Sequence, residues 1–147
     1  MALTTTAHLN FPGTARAALD FYGGVFGGRI QITTYAEVGM PPEAPGADKV
    51  VFGQVLADNG FRVMAYDIPG RTEPFTDTTT REQGATITDR PFFLSLRGET
   101  LDEVTGYWTA LAEDATIIEP LAASAWSPGF GMLTDRFAVT WTIDVAE

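Results

Sequence analysis

The strongest constraint on the fold is an internal repeat of one element order: strand, helix, strand, strand, strand. The first copy covers roughly residues 4–67, the second roughly residues 91–147, and a crossover at 68–90 joins them. Tyr22 in the first predicted helix corresponds to Trp108 in the second, at an offset of about 85 residues. One such unit leaves one face of its sheet uncovered. The repeat therefore predicts a single α+β domain, residues 1–147, built from two units.

Alternation and turn residues locate the elements of the first copy. Thr14 is a candidate N-cap for a helix whose apolar positions recur at three- and four-residue spacing. Gly23 and Gly24 weaken the last helical turn, so fraying is expected there. Asn59-Gly60 between two alternating apolar runs predicts a tight hairpin. The predicted elements are a helix from Ala15 to Phe26 and strands at Thr6–Phe11, Arg29–Val38, Val50–Ala57 and Phe61–Tyr66.

The second copy carries similar signals. Thr100, followed three residues later by Glu103, fits a capping box at the start of the second helix. Thr134-Asp135-Arg136 predicts the turn before the last strand, where a turn-stabilising role is expected for Asp135 and Arg136. The predicted strands are Phe92–Arg97, Ala115–Leu121, Phe130–Leu133 and Phe137–Asp144.

The crossover between the two copies is polar and rich in threonine, with neither helical nor strand periodicity. Two interpretations are open. One is a flexible linker, and the other is a loop that lies over a binding cavity.

Charge and composition exclude several functions. Nineteen acidic against nine basic residues give a formal charge of −10, which repels nucleic acid and anionic lipid surfaces. Neither a leader nor a membrane span is expected, so we predict a cytoplasmic protein. The chain has no cysteine, so any metal would need histidine and carboxylate ligands.

Three segments carry a family resemblance: HLNFPGTARAALDFYGGVFGG, ADKVVFGQV and, most specifically, FGMLTDRFAVTWTIDV. They resemble the vicinal oxygen chelate superfamily of glyoxalases, extradiol dioxygenases and bleomycin-resistance proteins, and within it the PhnB-like branch. The resemblance implies two βαβββ modules whose curved mixed sheets form a cup for a small molecule. It also implies a homodimer, with each cup completed either within one chain or between two.

In this fold one face of each strand points into the cup and the other packs on the helices. Combined with the period of two along each strand, the resemblance separates candidate ligand contacts from core residues. The candidate binding residues are His8, Asn10, Phe52, Gln54, Met64, Tyr66, Phe93 and Thr142, with Trp126 at the rim. The expected core residues are Leu9, Phe11, Leu94, Leu96, Val139 and Trp141.

His8 is the only histidine in the chain and the main candidate for a metal ligand. Metal-dependent members of the superfamily hold a divalent ion with His and Glu side chains on the first and last strands of both modules, and His8 matches the first of these places. The other corresponding positions carry Phe93, Met64 or Tyr66, and Thr140 or Thr142, none of which is a usual ligand. Asp144 could add only one carboxylate at a strand end. The sequence therefore predicts neither metal nor other cofactor.

Two functions remain open at this stage. The first is a metal-independent protein that binds a small, partly aromatic molecule. The second is an enzyme of the isomerase, lyase or dioxygenase type, with His8 as base or metal ligand. His8 could also be a buried or half-buried imidazole with a purely structural role.

Overall fold

The computed structural model describes residues 2–76 and 78–146. The chain divides between Pro74 and Phe75 into two compact units. The first unit contains β1 (His8–Phe11), α1 (Ala15–Phe26), β2 (Arg29–Thr34), a 3₁₀ helix (Ala36–Val38), β3 (Val50–Leu56) and β4 (Arg62–Asp67). The second unit contains β5 (Thr80–Glu82), β6 (Ala85–Ile87), β7 (Leu94–Gly98), α2 (Leu101–Ala112), β8 (Thr116–Ala122), β9 (Phe130–Thr134) and β10 (Thr140–Val145).

The two large sheets have the same topology. The first has the strand order β1-β4-β3-β2 and the second β7-β10-β9-β8. In the first sheet β1 pairs in parallel with β4, in the second β7 pairs in parallel with β10, and the remaining pairs of both sheets are antiparallel. The predicted α+β fold of two βαβββ modules with mixed sheets is therefore confirmed.

Each sheet buries one face against its own helix. In the first unit Leu9 and Phe11 of β1 are buried, as are the apolar positions of α1. Gly53 of β3 lets α1 approach closely, because a Cβ at this position would collide with the Leu19 side chain. In the second unit Trp141 is buried, as predicted, and contributes to the core with Val104 of α2. Three residues predicted to be core are only half-buried: Leu94, Leu96 and Val139.

The start of α1 is stabilised by a residue distant in sequence. Thr14 occupies the N-cap position but its side chain makes no capping hydrogen bond. Instead, the Ala15 N–H donates to Oδ1 of Asp67 at 2.9 Å, and the Val50 N–H donates to Oδ2 at 2.9 Å. The buried Asp67 carboxylate therefore joins the end of β4 to the start of α1 and the start of β3. It satisfies a helix-end N–H that would otherwise lack a partner.

Gly23 and Gly24, where fraying is expected, lie inside α1, which extends to Phe26. The ring of Phe26 stacks on Phe61 with 3.9 Å between centroids, and the Asn59 side chain donates to the Phe26 carbonyl at 2.9 Å. Tertiary contacts thus compensate for the weak helix propensity of glycine. At the start of α2, the Thr100 hydroxyl accepts the Glu103 N–H at 3.2 Å, as predicted.

The crossover was expected to lack strands, and this prediction is wrong, because the segment contains a hairpin. β5 and β6 pair antiparallel around Gln83-Gly84, and both turn residues have positive φ, 51° and 80°. Two consecutive residues of this kind are typical of a type I′ hairpin turn. Asp77 of the crossover lies outside the described residues.

Several predicted strand ends also need correction. β2 ends at Thr34 and the chain then turns into the 3₁₀ helix, so the prediction of a strand to Val38 is too long. β7 begins at Leu94, which pairs with Trp141, so Phe93 precedes the strand. β10 begins at Thr140, because residues before it form a turn closed by Asp135. Within the described residues, no helix is long and apolar enough to cross a membrane.

Candidate functional site

The candidate site is built on the face of the first sheet that points away from α1. We call it the open face: His8 and Asn10 of β1, Met64 and Tyr66 of β4, and Phe52 and Gln54 of β3. Cross-strand registers place His8 beside Met64, Asn10 beside Tyr66, and Gln54 beside Met64. Six of the nine predicted binding residues therefore share one face, as their alternation requires.

The open face is accessible. His8 and Asn10 are exposed, whereas Phe52, Gln54, Met64 and Tyr66 are half-buried. The interpretation of His8 as a buried or half-buried structural imidazole is therefore wrong. A face that presents rings, a thioether and amides together can contact both the apolar and the polar parts of a small molecule.

Two neighbours fix the His8 ring. Its Nδ1 lies 3.0 Å from Oδ1 of Asn10, and its ring meets that of Tyr66 edge-on with 5.4 Å between centroids. Since the Asn10 oxygen can only accept, Nδ1 carries the hydrogen and Nε2 of the neutral ring keeps its lone pair. His8 can thus accept a hydrogen bond or a proton through Nε2.

A second polar pair lies on the same face. Gln54 donates through Nε2 to Oε1 of Gln31 on β2, and the two residues are register partners. This bond orients the Gln54 amide and leaves its oxygen available as an acceptor. The row from β1 to β2 therefore reads His8, Met64, Gln54 and Gln31.

The corresponding face of the second sheet is partly covered, since Ser95 on this face is exposed and Thr142 is half-buried. Thr142, another predicted binding residue, lies beside Met132 of β9 and Ser95 of β7 on this face. Met132 is only 1% exposed, and the Thr86 hydroxyl of β6 lies 3.5 Å from its sulfur. The β5–β6 hairpin therefore packs on this face.

Arg81 of β5 is the main anchor of the hairpin. Its guanidinium lies 5.1 Å from the centroid of the Phe130 ring, donates to the Thr86 hydroxyl at 2.8 Å and lies 3.9 Å from a Glu119 carboxylate oxygen. A cation held over a ring and beside a carboxylate is stabilised by both. Sequence reasoning missed this cluster, because three-residue strands give no usable periodicity.

The two remaining predicted binding residues, Phe93 and Trp126, lie outside the open face. Phe93 precedes β7 and is half-buried. Trp126 lies in the loop between β8 and β9, is 51% exposed, and contacts the Phe130 ring edge-on with 5.3 Å between centroids. Both belong to the second unit, so their contact with a ligand stays a prediction.

The open face contains one imidazole, that of His8, and no carboxylate. His8 has Met64, Asn10 and Tyr66 as its neighbours, and none of these is a carboxylate. Asp144 is paired with Arg97 through two hydrogen bonds of 3.0 and 2.8 Å. Across residues 2–76 and 78–146, no three His, Asp or Glu side chains are grouped as metal ligands.

Comparison with known proteins identifies the class. The sequence profile of the Glyoxalase/Bleomycin resistance protein/Dioxygenase superfamily matches residues 7–143, and the chain belongs to this superfamily. It is similar to protein PA1353 from Pseudomonas aeruginosa, with 26% identity over 98% of both chains and a TM-score of 0.75. It is also similar to the PhnB protein from Bacillus cereus, with 25% identity over 98% of this chain and 100% of that chain and a TM-score of 0.71.

More distant structures share the fold alone. The glyoxylase/bleomycin resistance protein/dioxygenase domain from Frankia sp. EAN1pec is 12% identical over 100% of this chain and 99% of that chain, with a TM-score of 0.65. No curated protein sequence matches the chain.

Proposed function

We propose that the protein is a metal-independent, small-molecule-binding member of the PhnB-like branch that holds a planar, partly aromatic ligand on its open face. The observation that carries this proposal is the register of β1, β4 and β3, which groups His8, Met64, Tyr66 and Gln54 on one accessible surface. Phe52 lies on the same surface, two residues before Gln54 along β3. The rings and the thioether offer stacking surface. The imidazole and the amide oxygen offer polar contacts that would select the ligand's orientation.

Metal independence is proposed from the residues around His8. Amide and thioether groups, the side chains beside it, are weak ligands for the divalent ions that imidazole and carboxylate usually bind. An ion held by one imidazole would leave most of its coordination sphere to water, so its affinity would be low.

The branch assignment is supported by the PhnB protein among the similar structures. By the same resemblance we propose a homodimer, which sedimentation velocity can test.

A second candidate function is an enzyme with His8 as a general base. It is favoured by one observation, the contact with Asn10 that leaves Nε2 with a free lone pair. A base must reach the proton that it removes, and an exposed Nε2 on a ligand-binding face satisfies this condition. Such an enzyme would lose turnover without His8 even where binding persists.

Ligand binding can be tested by amide NMR titration with a panel of small planar aromatics and aromatic antibiotics. We expect saturable shifts at residues of β1, β3 and β4, and a weaker affinity in Tyr66→Leu and Phe52→Leu variants. Asp20→Asn on the exposed side of α1 is the matched control and should leave the affinity unchanged. Shifts confined to other parts of the chain would contradict the proposal.

A His8→Ala variant separates the two functions. Since His8 is exposed, we expect its free energy of unfolding to change by less than about 0.5 kcal/mol, while ligand affinity falls. Metal analysis of the purified protein after incubation with Mn²⁺, Ni²⁺ or Zn²⁺ should show no stoichiometric ion. One ion per chain that disappears in His8→Ala would refute metal independence. Turnover of a bound compound that is lost in the variant would establish the enzyme.

A further inference from the structure

A cavity of about 390 Å³ in the first unit takes no part in the function proposed above. It lies where β1 and β4 end and is walled by the segment between β2 and β3. Its lining shares no residue with the open face, and includes Pro12, Tyr35, Met40, Lys49, Ile68 and Arg71. Its volume is within the range of small-molecule sites.

The wall of this cavity is organised by backbone hydrogen bonds. The Tyr35 N–H donates to the Lys49 carbonyl at 3.0 Å, the Ala36 N–H to the Ala47 carbonyl at 2.9 Å, and the Met40 N–H to the Tyr35 carbonyl at 3.0 Å. Ala47, which belongs to the same segment, is buried. A wall held in this way is formed before any ligand arrives, which reduces the ordering cost of binding.

The rim of the cavity carries positive charge. Lys49 Nζ donates to the Gly13 carbonyl at 3.3 Å and, within residues 2–76 and 78–146, pairs with no carboxylate. Arg71, whose Nε donates to the Glu73 carbonyl at 3.2 Å, is the second cation of the lining. Two of only nine basic residues in a chain of charge −10 thus line one cavity.

The acidic residue of the lining already has hydrogen-bond partners of its own. Both carboxylate oxygens of Asp67 accept backbone N–H groups, from Ala15 and Val50, and the residue is only 2% exposed. Tyr35 donates its hydroxyl to the Asp67 carbonyl at 2.8 Å. Burial, then the nearby Tyr66 and Asp67, raise the pKa of Tyr35, so the phenol stays neutral at physiological pH.

We propose that this cavity is a second binding site, which takes a small organic carboxylate with an apolar body of one or two rings. The apolar body would lie against Met40, Ile68 and the Tyr35 ring. The carboxylate would lie between Lys49 and Arg71. It would accept charge-assisted hydrogen bonds, which are stronger than bonds between neutral groups. This site is independent of the open face, so either proposal can fail while the other stands.

Biphenyl-4-carboxylate and its uncharged analogue biphenyl-4-carboxamide are the probes for an amide NMR titration. With the carboxylate we expect saturable shifts at Gly13, Gly46 and Gly70, all in the lining, and none at Gln54 on the open face. The carboxamide should bind about 25-fold more weakly, as expected for the loss of two partly exposed charge contacts. The carboxylate's affinity should fall as salt is raised.

Charge-removing variants complete the test. Lys49→Met and Arg71→Met keep the apolar stem of each side chain, and each should weaken carboxylate binding about fivefold while leaving carboxamide binding unchanged. Arg62→Met, at the opposite end of β4 from Asp67, is the matched control and should have no effect. Equal affinities for the two probes, shifts confined to the open face, unaltered binding in both variants, or no saturation by about 10 mM carboxylate would each overturn the proposal.

Discussion

The two units share one strand order but differ in how far the face away from the helix is covered. In the first unit His8 and Asn10 on this face are exposed to solvent, and the rings of Phe52 and Tyr66 beside them are half-buried. In the second unit the β5–β6 hairpin packs on it, and Arg81 covers Phe130. Topology alone therefore does not decide how accessible this face is, because a short hairpin packs on it in one unit and not in the other.

A related difference concerns the buried carboxylate of each unit. Asp67 joins three elements of the first unit by accepting N–H groups from Ala15 and Val50. Asp135 instead closes the turn before β10, since it accepts the N–H groups of Phe137 and Val139 and the indole N–H of Trp141 at 2.9 Å. Asp67 thus stabilises the start of α1, whereas Asp135 stabilises a turn and links it to the buried Trp141.

The largest expected effect comes from removing these carboxylates. Asp67→Ala and Asp135→Ala each leave buried N–H donors without a partner, so we expect each to lower the free energy of unfolding by about 3 kcal/mol. Urea denaturation measures the change. Asp20→Ala on the exposed side of α1 is the control and should stay within about 0.5 kcal/mol of the wild type. A loss below about 1 kcal/mol in either buried variant would show that its carboxylate is not the needed partner of those N–H groups.

The next effect concerns the contact between the β5–β6 hairpin and the second sheet. Arg81→Ala removes the cation over Phe130 and the bond to Thr86, so we expect a loss of about 1 kcal/mol in stability and faster amide exchange in β5 and β6. The methyl resonance of Met132 should move while that of Met64 stays in place. Glu82→Ala, an exposed neighbour on the same strand, is the matched control. An unchanged Met132 signal would show that Arg81 does not hold the hairpin on the face.

The smallest effect compares two hairpin turns. Gly60 in the β3–β4 turn has φ of 99°, and Ala138 in the β9–β10 turn has φ of 68°. Alanine is strained in this left-handed region and glycine is not, so Ala138→Gly should raise stability by about 0.5 kcal/mol. Gly60→Ala should lower it by a similar or larger amount. Differential scanning calorimetry on both variants measures the pair, and a destabilised Ala138→Gly would contradict this reasoning.

Much of the fold was predictable because its signals are local. The hairpin at Asn59-Gly60, the N-cap at Thr100 and the alternation along β1 all lie within a few residues of the elements they define. The same alternation, read through the family resemblance, grouped six predicted contacts on one face.

What could not be predicted depends on contacts between distant residues. The N–H of Ala15 is satisfied by Asp67, 52 positions later, which no local pattern indicates. The β5–β6 hairpin was missed because its strands are short and polar and because Gln83-Gly84 is not among the strongest turn pairs. The cavity wall between β2 and β3 was also missed, since backbone hydrogen bonds in an irregular loop leave no periodic trace.

The position of the boundary between Pro74 and Phe75 has a consequence for how such a chain can change. All strand pairs of the two large sheets form on one side of that boundary or the other. An insertion or a cut there would interrupt no ladder of either sheet. The segment between the halves is thus the place where length can vary at little cost, and the second unit has already accommodated an extra hairpin next to it.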